Sequence, residues 1–104
     1  MIRARLIIKG EERDRVYRII SPIVTIGRSE HNDIVLLGKF VSKEHARLEV
    51  DDNRFFLIDL GKNPSRVNSI PVFGSQEIKF GDDLTIGGFK MKFERLDEGE
   101  EAGA

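Results

Sequence analysis

The residues of this sequence best suited to chemistry lie in two polar clusters, one around Arg28 and one around Ser42. Arg28 directly follows Gly27 at the end of an apolar run, and its planar guanidinium can donate hydrogen bonds to two phosphate oxygens at once. A serine hydroxyl such as that of Ser42 can complete an anion-binding cup beside an arginine. We therefore expect Arg28 and Ser42 to hold a phosphate. On local sequence alone, a surface ion pair of Arg28 with Glu30 or Asp33 and a turn-capping role for Ser42 remain open.

His45 and Asn63 are polar residues that could shape or extend such a site. His45 directly precedes a predicted strand, where an imidazole commonly bonds main-chain carbonyls, so we favour a bracing role over ligand contact. The amide of Asn63 has the donors and acceptor needed to hold an extended peptide, although an Asx turn before Pro64 explains it equally well. Nearby cations add positive charge that nearby carboxylates partly offset. The cations are Lys39, Lys43, Lys62 and Arg66, and the carboxylates are Glu30, Asp33 and Glu44.

A hydrolase triad of Ser42, His45 and Asp59 is the enzymatic alternative. The sequence lacks the Gly-x-Ser-x-Gly elbow and shows no segment suited to an oxyanion hole. The only histidines are His31 and His45, and no carboxylate cluster shares metal-like spacing with them. We expect no catalysis, no metal site and no cofactor.

Composition and charge narrow the class of protein. A chain of 104 residues is one domain, and 39% hydrophobic with 34% charged residues is ordinary for a globular protein. A formal net charge of −1 argues against broad nucleic-acid binding, and no apolar run approaches the length of a membrane span. The absence of cysteine fits a reducing compartment. We expect a cytoplasmic monomer that binds neither nucleic acid nor membranes.

Hydrophobic patterning predicts a chain of short strands. Alternating or β-branched segments predict strands at 3–9, 15–20, 23–26, 34–37, 46–50, 55–60, 77–80, 84–86 and 89–93. Such a series, punctuated by turns, is typical of a β-sandwich or barrel. The best helical alternative is 42–50, but a capping box would need Glu or Gln where His45 stands. Residues 1–96 are predicted to form the domain, and the acidic 97–104 a disordered tail or linker stub.

Several of these residues occur in an order that resembles the forkhead-associated (FHA) domain. The matching segments are Gly27-Arg28, Asn32-Asp33-Ile34, Val41–Ala46, Asp59-Leu60-Gly61 with Asn63, Val67-Asn68, Gly81-Asp82 and Ile86-Gly87. The resemblance extends from about residue 6 to residue 93, nearly the whole chain.

The resemblance implies an all-β fold, a two-sheet β-sandwich of about eleven strands (FHA/SMAD-like). Loops at one end would bind phosphothreonine peptides, with Arg28 and Ser42 on the phosphate, Lys43 as a second cation and Asn63 on the peptide backbone. The residues implied to structure these loops are Gly27, His45 and Asn68, the last by stabilising the third loop at 61–66. FHA domains are not enzymes, and they recruit partners phosphorylated by Ser/Thr kinases.

The third loop departs from the family pattern. It is one residue shorter than is usual, and Pro64 stands where the family often has Gly. Because proline fixes φ near −65°, a positive-φ turn is excluded at that position. Ser69 likewise replaces the Gly that usually follows Val67-Asn68. The departure affects the expected role of Asn63 more than that of Arg28.

The sequence also bears on where the ligand comes from. The only threonines, Thr25 and Thr85, lie inside predicted strands, so we expect a phosphothreonine-containing protein to bind in trans. The alternative function, from a different class, is a phosphate-independent interaction module that docks a partner through a sheet face.

Overall fold

A computed structural model describes residues 3–96, which form eleven β-strands in two sheets. In chain order the strands are β1 Ala4–Ile8, β2 Arg15–Ile19, β3 Ile23–Gly27, β4 Ile34–Val35, β5 Ala46–Asp51, β6 Arg54–Asp59, β7 Arg66–Val67, β8 Ile70–Pro71, β9 Ser75–Ile78, β10 Asp83–Ile86 and β11 Phe89–Arg95. One sheet has the order β2-β1-β11-β10-β7-β8 and the other β4-β3-β5-β6-β9. The predicted two-sheet β-sandwich is confirmed.

The core lies between the sheets, where every second side chain of the long strands points. In β1, for example, Ala4, Leu6 and Ile8 are buried while the residues between them are partly exposed. The large side chains there that are 0% exposed include Leu6, Leu48, Leu57, Leu84 and Phe93. Burying each such side chain contributes about 1.5–3 kcal/mol. The alternation seen in the sequence therefore reflects an inward and an outward face.

Two local predictions differ from the structure. The strand expected at 77–80 lies instead at Ser75–Ile78, because Asp82 accepts the main-chain N–H of Lys79 at 2.7 Å and turns the chain. Phe80 leaves the strand but stays packed, with its ring centroid 5.2 Å from that of Phe93. The helical alternative at 42–50 is wrong, since Ala46–Asp51 pairs with β3 and β6. Within residues 3–96, no helix is long and apolar enough to cross a bilayer.

Strand pairing brings three loops to one end of the sandwich. Ala46, at the start of β5, pairs with Ile26 near the end of β3 and with Asp59 at the end of β6. The loops that leave these positions are β3–β4 (28–33), β4–β5 (36–45) and β6–β7 (60–65). We call this end of the molecule the loop end. All the candidate site residues except Asn68 belong to it.

Candidate functional site

A groove of about 450 Å³ lies at the loop end, between the β4–β5 and β6–β7 loops. Its polar lining consists of Arg28, Lys39, Ser42, Lys43, Lys62 and Asn63, and Phe40 and Val41 complete it. Four of these residues are cations and none is a carboxylate. We call this feature the phosphate groove, for the anion that such a lining favours.

Arg28 is held at the groove by its main chain and by one side-chain nitrogen. Its main-chain N–H donates to the main-chain oxygen of Ser42 at 3.0 Å, and its Nε donates to the main-chain oxygen of Val41 at 3.1 Å. Its two terminal nitrogens donate no hydrogen bond to any other residue within 3–96. These nitrogens are therefore available to an oxyanion.

The surface ion pair considered for Arg28 is not formed. Asp33 instead accepts the main-chain N–H of Thr25 at 2.9 Å and its hydroxyl at 3.2 Å. In return the Thr25 hydroxyl accepts the Asp33 N–H at 2.9 Å, so the carboxylate fixes the β3–β4 loop. Across residues 3–96, Arg28 has no carboxylate partner, which leaves its charge uncompensated within the described protein.

Ser42 connects the two sides of the groove. Its Oγ accepts the main-chain N–H of Lys62 at 3.2 Å, and this bond leaves the hydroxyl hydrogen free to be donated. The main-chain N–H groups of Ser42 and Lys62 are both used inside the protein, the former on His45 Nδ1 at 3.0 Å. The N–H of Lys43 has no such bond in the described part of the chain. Ser42 Oγ and Lys43 can thus present donors side by side.

His45 is fully buried, and both of its ring nitrogens are bonded to loops. Nδ1 accepts the Ser42 N–H at 3.0 Å, so the ring hydrogen must be on Nε2, which donates to the Asn63 main-chain oxygen at 2.7 Å. The imidazole is therefore neutral and joins the β4–β5 loop to the β6–β7 loop. This is the geometry expected of a brace.

The hydrolase triad is not assembled. Neither His45 nitrogen is left to accept a proton from Ser42 Oγ. Asp59 is occupied with Ser65, whose N–H and hydroxyl donate to its Oδ1 at 2.9 and 2.8 Å. The three residues lie near one another without the serine–histidine–carboxylate chain that nucleophilic catalysis needs.

Two glycines allow the loops to approach this closely. A Cβ on Gly27 would lie 2.2 Å from the Lys43 oxygen, and one on Gly61 would lie 2.7 Å from the His45 ring. Both distances are shorter than real contacts allow. Gly27 thereby admits the main chain that carries Lys43, and Gly61 admits the bracing ring.

Asn63 lines the groove and also makes two contacts within the protein. Its Nδ2 donates to the Phe40 oxygen at 3.3 Å, across the groove, while its main-chain oxygen accepts the His45 hydrogen bond. Its exposed side chain lies directly before Pro64, so the shortened loop still brings it to the groove lining. The side-chain oxygen has no partner among residues 3–96.

Asn68 and Arg66 lie away from the groove. Asn68 has a φ of 50°, and its amide bonds Asp82 Oδ1 and the Asp83 N–H, each at 3.0 Å. It therefore joins the β7–β8 and β9–β10 turns rather than the third loop, contrary to what the resemblance implied. Arg66 donates to the Ser69 oxygen at 3.2 Å and does not line the groove, unlike the three lysines grouped with it.

Sequence reasoning assigned no role to two residues that shape the site. Asn32 donates through Nδ2 to the oxygens of Ser29 and Lys43, at 2.9 and 2.7 Å, and so fixes the main chain next to Ser42. Ser65 is buried and closes the β6–β7 loop on Asp59. Polar residues of this kind are common in turns, and the sequence alone does not show which groups they bond.

The comparisons with known proteins agree with this geometry. The FHA domain family model matches residues 24–87. The chain belongs to the FHA domain family. A solved FHA structure, from a structural and functional analysis of phosphothreonine-dependent FHA domain interactions, matches with a TM-score of 0.82 and 23% identity, over 91% of this chain and 98% of that one. At that identity the likeness bears on the fold.

Two curated relatives extend the family match to named proteins. The oxoglutarate dehydrogenase inhibitor of Corynebacterium efficiens is 33% identical over 92 residues, which is 86% of this chain and 64% of that protein. The glycogen accumulation regulator GarA of Mycobacterium tuberculosis is also 33% identical over 92 residues, or 86% and 56%. The FHA chain thus spans less than two thirds of the length of either relative.

Proposed function

We propose that this FHA domain binds phosphothreonine-containing segments of partner proteins in trans, through the phosphate groove. The observation that carries the proposal is the guanidinium of Arg28, which has no carboxylate partner within residues 3–96 and lies in a groove that those residues line with four cations and no carboxylate. A phosphothreonine brings about −1.5 to −2 charges and three acceptor oxygens, which this lining would neutralise.

The proposed phosphate contacts come from three residues of two loops. Arg28 would donate through its terminal nitrogens, Ser42 through its hydroxyl, and Lys43 through its main-chain N–H and its ammonium. Each charge-assisted hydrogen bond contributes about 1.5–3 kcal/mol net. After the cost of ordering a short peptide, we expect roughly micromolar affinity.

The peptide backbone would be held by Asn63. Because its Nδ2 is engaged with Phe40, the unpartnered side-chain oxygen would accept a peptide N–H. Gly27 and His45 would maintain the distance between the loops, as their contacts indicate. Asn68 would act at a distance, by ordering the neighbouring turns.

We further propose that the domain is a non-catalytic, monomeric recruitment module that acts in the cytoplasm, where Ser/Thr kinases create its ligands. The geometry of His45 supports a non-catalytic role, since both ring nitrogens serve the loops. The names of the relatives, an inhibitor and a regulator, support a role in controlling partner proteins.

Titration of the labelled domain with matched phosphothreonine and threonine peptides, followed by amide chemical shifts, tests this function. We expect shifts at Arg28, Ser42 and Asn63 with the phosphorylated peptide and none with the unmodified one. Equal affinity for the two peptides would refute the proposal. Shifts confined to the outward face of the five-stranded sheet, around Ile23 and Phe56, would favour the phosphate-independent module instead.

A further inference from the structure

We propose that the ligand carries a second anionic group close to its phosphothreonine, and that Lys39 and Lys62 bind this group. The inference rests on the proposed function, and it adds the charge of the neighbouring ligand residues to what the domain recognises. It follows from the balance of charge in the groove and from the position of the two lysines.

The groove holds more positive charge than one phosphate neutralises. Arg28 and Lys43 flank Ser42 and together match the about −2 of a phosphothreonine. Lys39 and Lys62 then remain, in a lining without a single carboxylate. Neither lysine forms an ion pair with any residue of the described chain, 3–96.

Some cations elsewhere on the surface do have such partners. Lys92 Nζ lies 2.8 Å from Asp83, and Arg54 and Lys79 share Glu77, each at 2.8 Å. The carboxylates of Glu30, Asp33 and Glu44 do not line the groove, and that of Asp33 is already used by Thr25. The cations of the groove are thus left for an external anion.

The two lysines are positioned to act together. Lys39 belongs to the β4–β5 loop and Lys62 to the β6–β7 loop, and the Asn63–Phe40 hydrogen bond of 3.3 Å links these loops across the groove. Lys39 Nζ lies 5.3 Å from the centroid of the Phe40 ring, and the main-chain N–H of Lys62 is bound to Ser42 Oγ. A group between the two lysines would therefore lie next to the phosphate held at Ser42.

The second group has the chemistry of a small oxyanion, and two sources supply it. An Asp or Glu carboxylate next to the phosphothreonine is one, and a second phosphorylated residue is the other. Both would gain from lysine because its ammonium is a compact, strongly hydrated point charge that accepts many anion geometries. Apolar or basic neighbours would gain nothing.

Fluorescence anisotropy with three kinds of short phosphothreonine peptide tests the proposal. The peptides have alanine flanks, aspartates on the N-terminal or the C-terminal side, or one of those aspartates replaced by phosphoserine. We expect aspartates on one side to tighten binding about tenfold, and phosphoserine at least as much. The ratio of the last two affinities identifies the source.

Matched variants separate this inference from the function on which it rests. In K39Q/K62Q the preference should shrink to less than about twofold while the alanine-flanked phosphopeptide still binds. R18Q/K79Q removes the same charge from exposed residues remote from the loop end and should keep the full preference. Equal affinity for acidic and neutral flanks, or a preference that survives in K39Q/K62Q, would overturn the inference alone. Loss of all phosphate dependence in the wild type would instead overturn the proposed function.

Discussion

His45 Nε2 lies 2.7 Å from the main-chain oxygen of Asn63, although 18 residues separate the two in sequence. The other nitrogen of the same ring binds the Ser42 N–H. One buried side chain therefore sets the separation between the residue proposed to hold the phosphate and the residue proposed to hold the peptide. The two loops are thus joined to each other by a buried side chain of the protein itself.

Replacing His45 with alanine should weaken both folding and binding. The change leaves the Ser42 N–H and the Asn63 oxygen without partners, so we expect unfolding to become easier by about 2–4 kcal/mol. The loops would lose their spacing, and phosphopeptide affinity should fall at least tenfold at a temperature where the variant is folded. Urea denaturation and calorimetric titration measure the two effects. The exposed His31, changed to alanine, is the control, and undiminished affinity in the His45 variant would contradict the bracing role.

Replacing Arg28 with alanine should abolish phosphopeptide binding with little change in stability. Within the described residues the side chain makes one hydrogen bond, to Val41, so the cost to folding should stay below about 1 kcal/mol. Arg28→Lys should recover little affinity, because an ammonium cannot bond Val41 and two phosphate oxygens in the same fork. Arg66→Ala, which removes an exposed arginine outside the groove, is the matched control. Titration of all three settles the point, and an Arg28→Ala domain that still discriminates phosphothreonine would refute it.

Gly61 and His45 should be energetically coupled. An alanine at position 61 would bring its Cβ to 2.7 Å from the His45 ring, so we expect a loss of about 1–3 kcal/mol in the otherwise wild-type protein. In a His45→Ala background the obstacle is gone, and the same change should cost much less. A double-mutant cycle by chemical denaturation measures this. Additive costs would mean that Gly61 is required for another reason.

The ion pairs of Glu77 should make the free energy of unfolding decrease at acid pH. Hydrogen bonds from Arg54 and Lys79 hold the pKa of this carboxyl at about 2, whereas an unfolded chain would show about 4.3. The folded state thus binds its proton less readily, so the stabilisation is complete above about pH 5 and is lost as the pH falls toward 2. Carboxyl chemical shifts should place the titration near pH 2, and Glu77→Gln should remove its share of the acid dependence. A Glu77 carboxyl that titrates near 4.3 would exclude the effect.

Local patterning predicted most of the fold because most strands here face a core on one side only. In β11, for instance, the strict alternation corresponds to buried Met91 and Phe93, whose neighbours Lys90, Lys92 and Glu94 are exposed or partly exposed. The prediction failed where a turn, and not a strand, continued the alternation. Phe80 alternates in sequence with Ile78, yet it lies in a turn, where its ring stacks on that of Phe93 and stays partly exposed. The alternation of apolar and polar residues indicates which side chains face inward in a strand. It does not indicate where the hydrogen bonds between neighbouring strands end.

The site was less accessible to sequence reasoning than the fold. The resemblance to FHA domains identified Arg28 and Ser42, which the structure brings together in one groove. It could not show that the amide of Asn63 is partly engaged by Phe40, or that Asn68 bonds a different turn. These outcomes depend on residues far away in the chain. A single sequence carries no signal for such pairings.

The hydrogen bonds between Ser65 and Asp59 hold the base of the β6–β7 loop, so the residues at its tip can be varied. Ser65 gives both of its donors to Asp59, and its own oxygen accepts the Val72 N–H at 2.8 Å, so the base of the loop is fixed whatever lies between. The contacts of Ser65 thus fix the base of a loop that contains Pro64 and is one residue shorter than is usual in the family. We therefore expect the side chains at 62–64 to be replaceable while the contacts of Ser65 hold the base of the loop in place. Libraries confined to those three positions offer a route to redirect ligand choice while the scaffold is left intact.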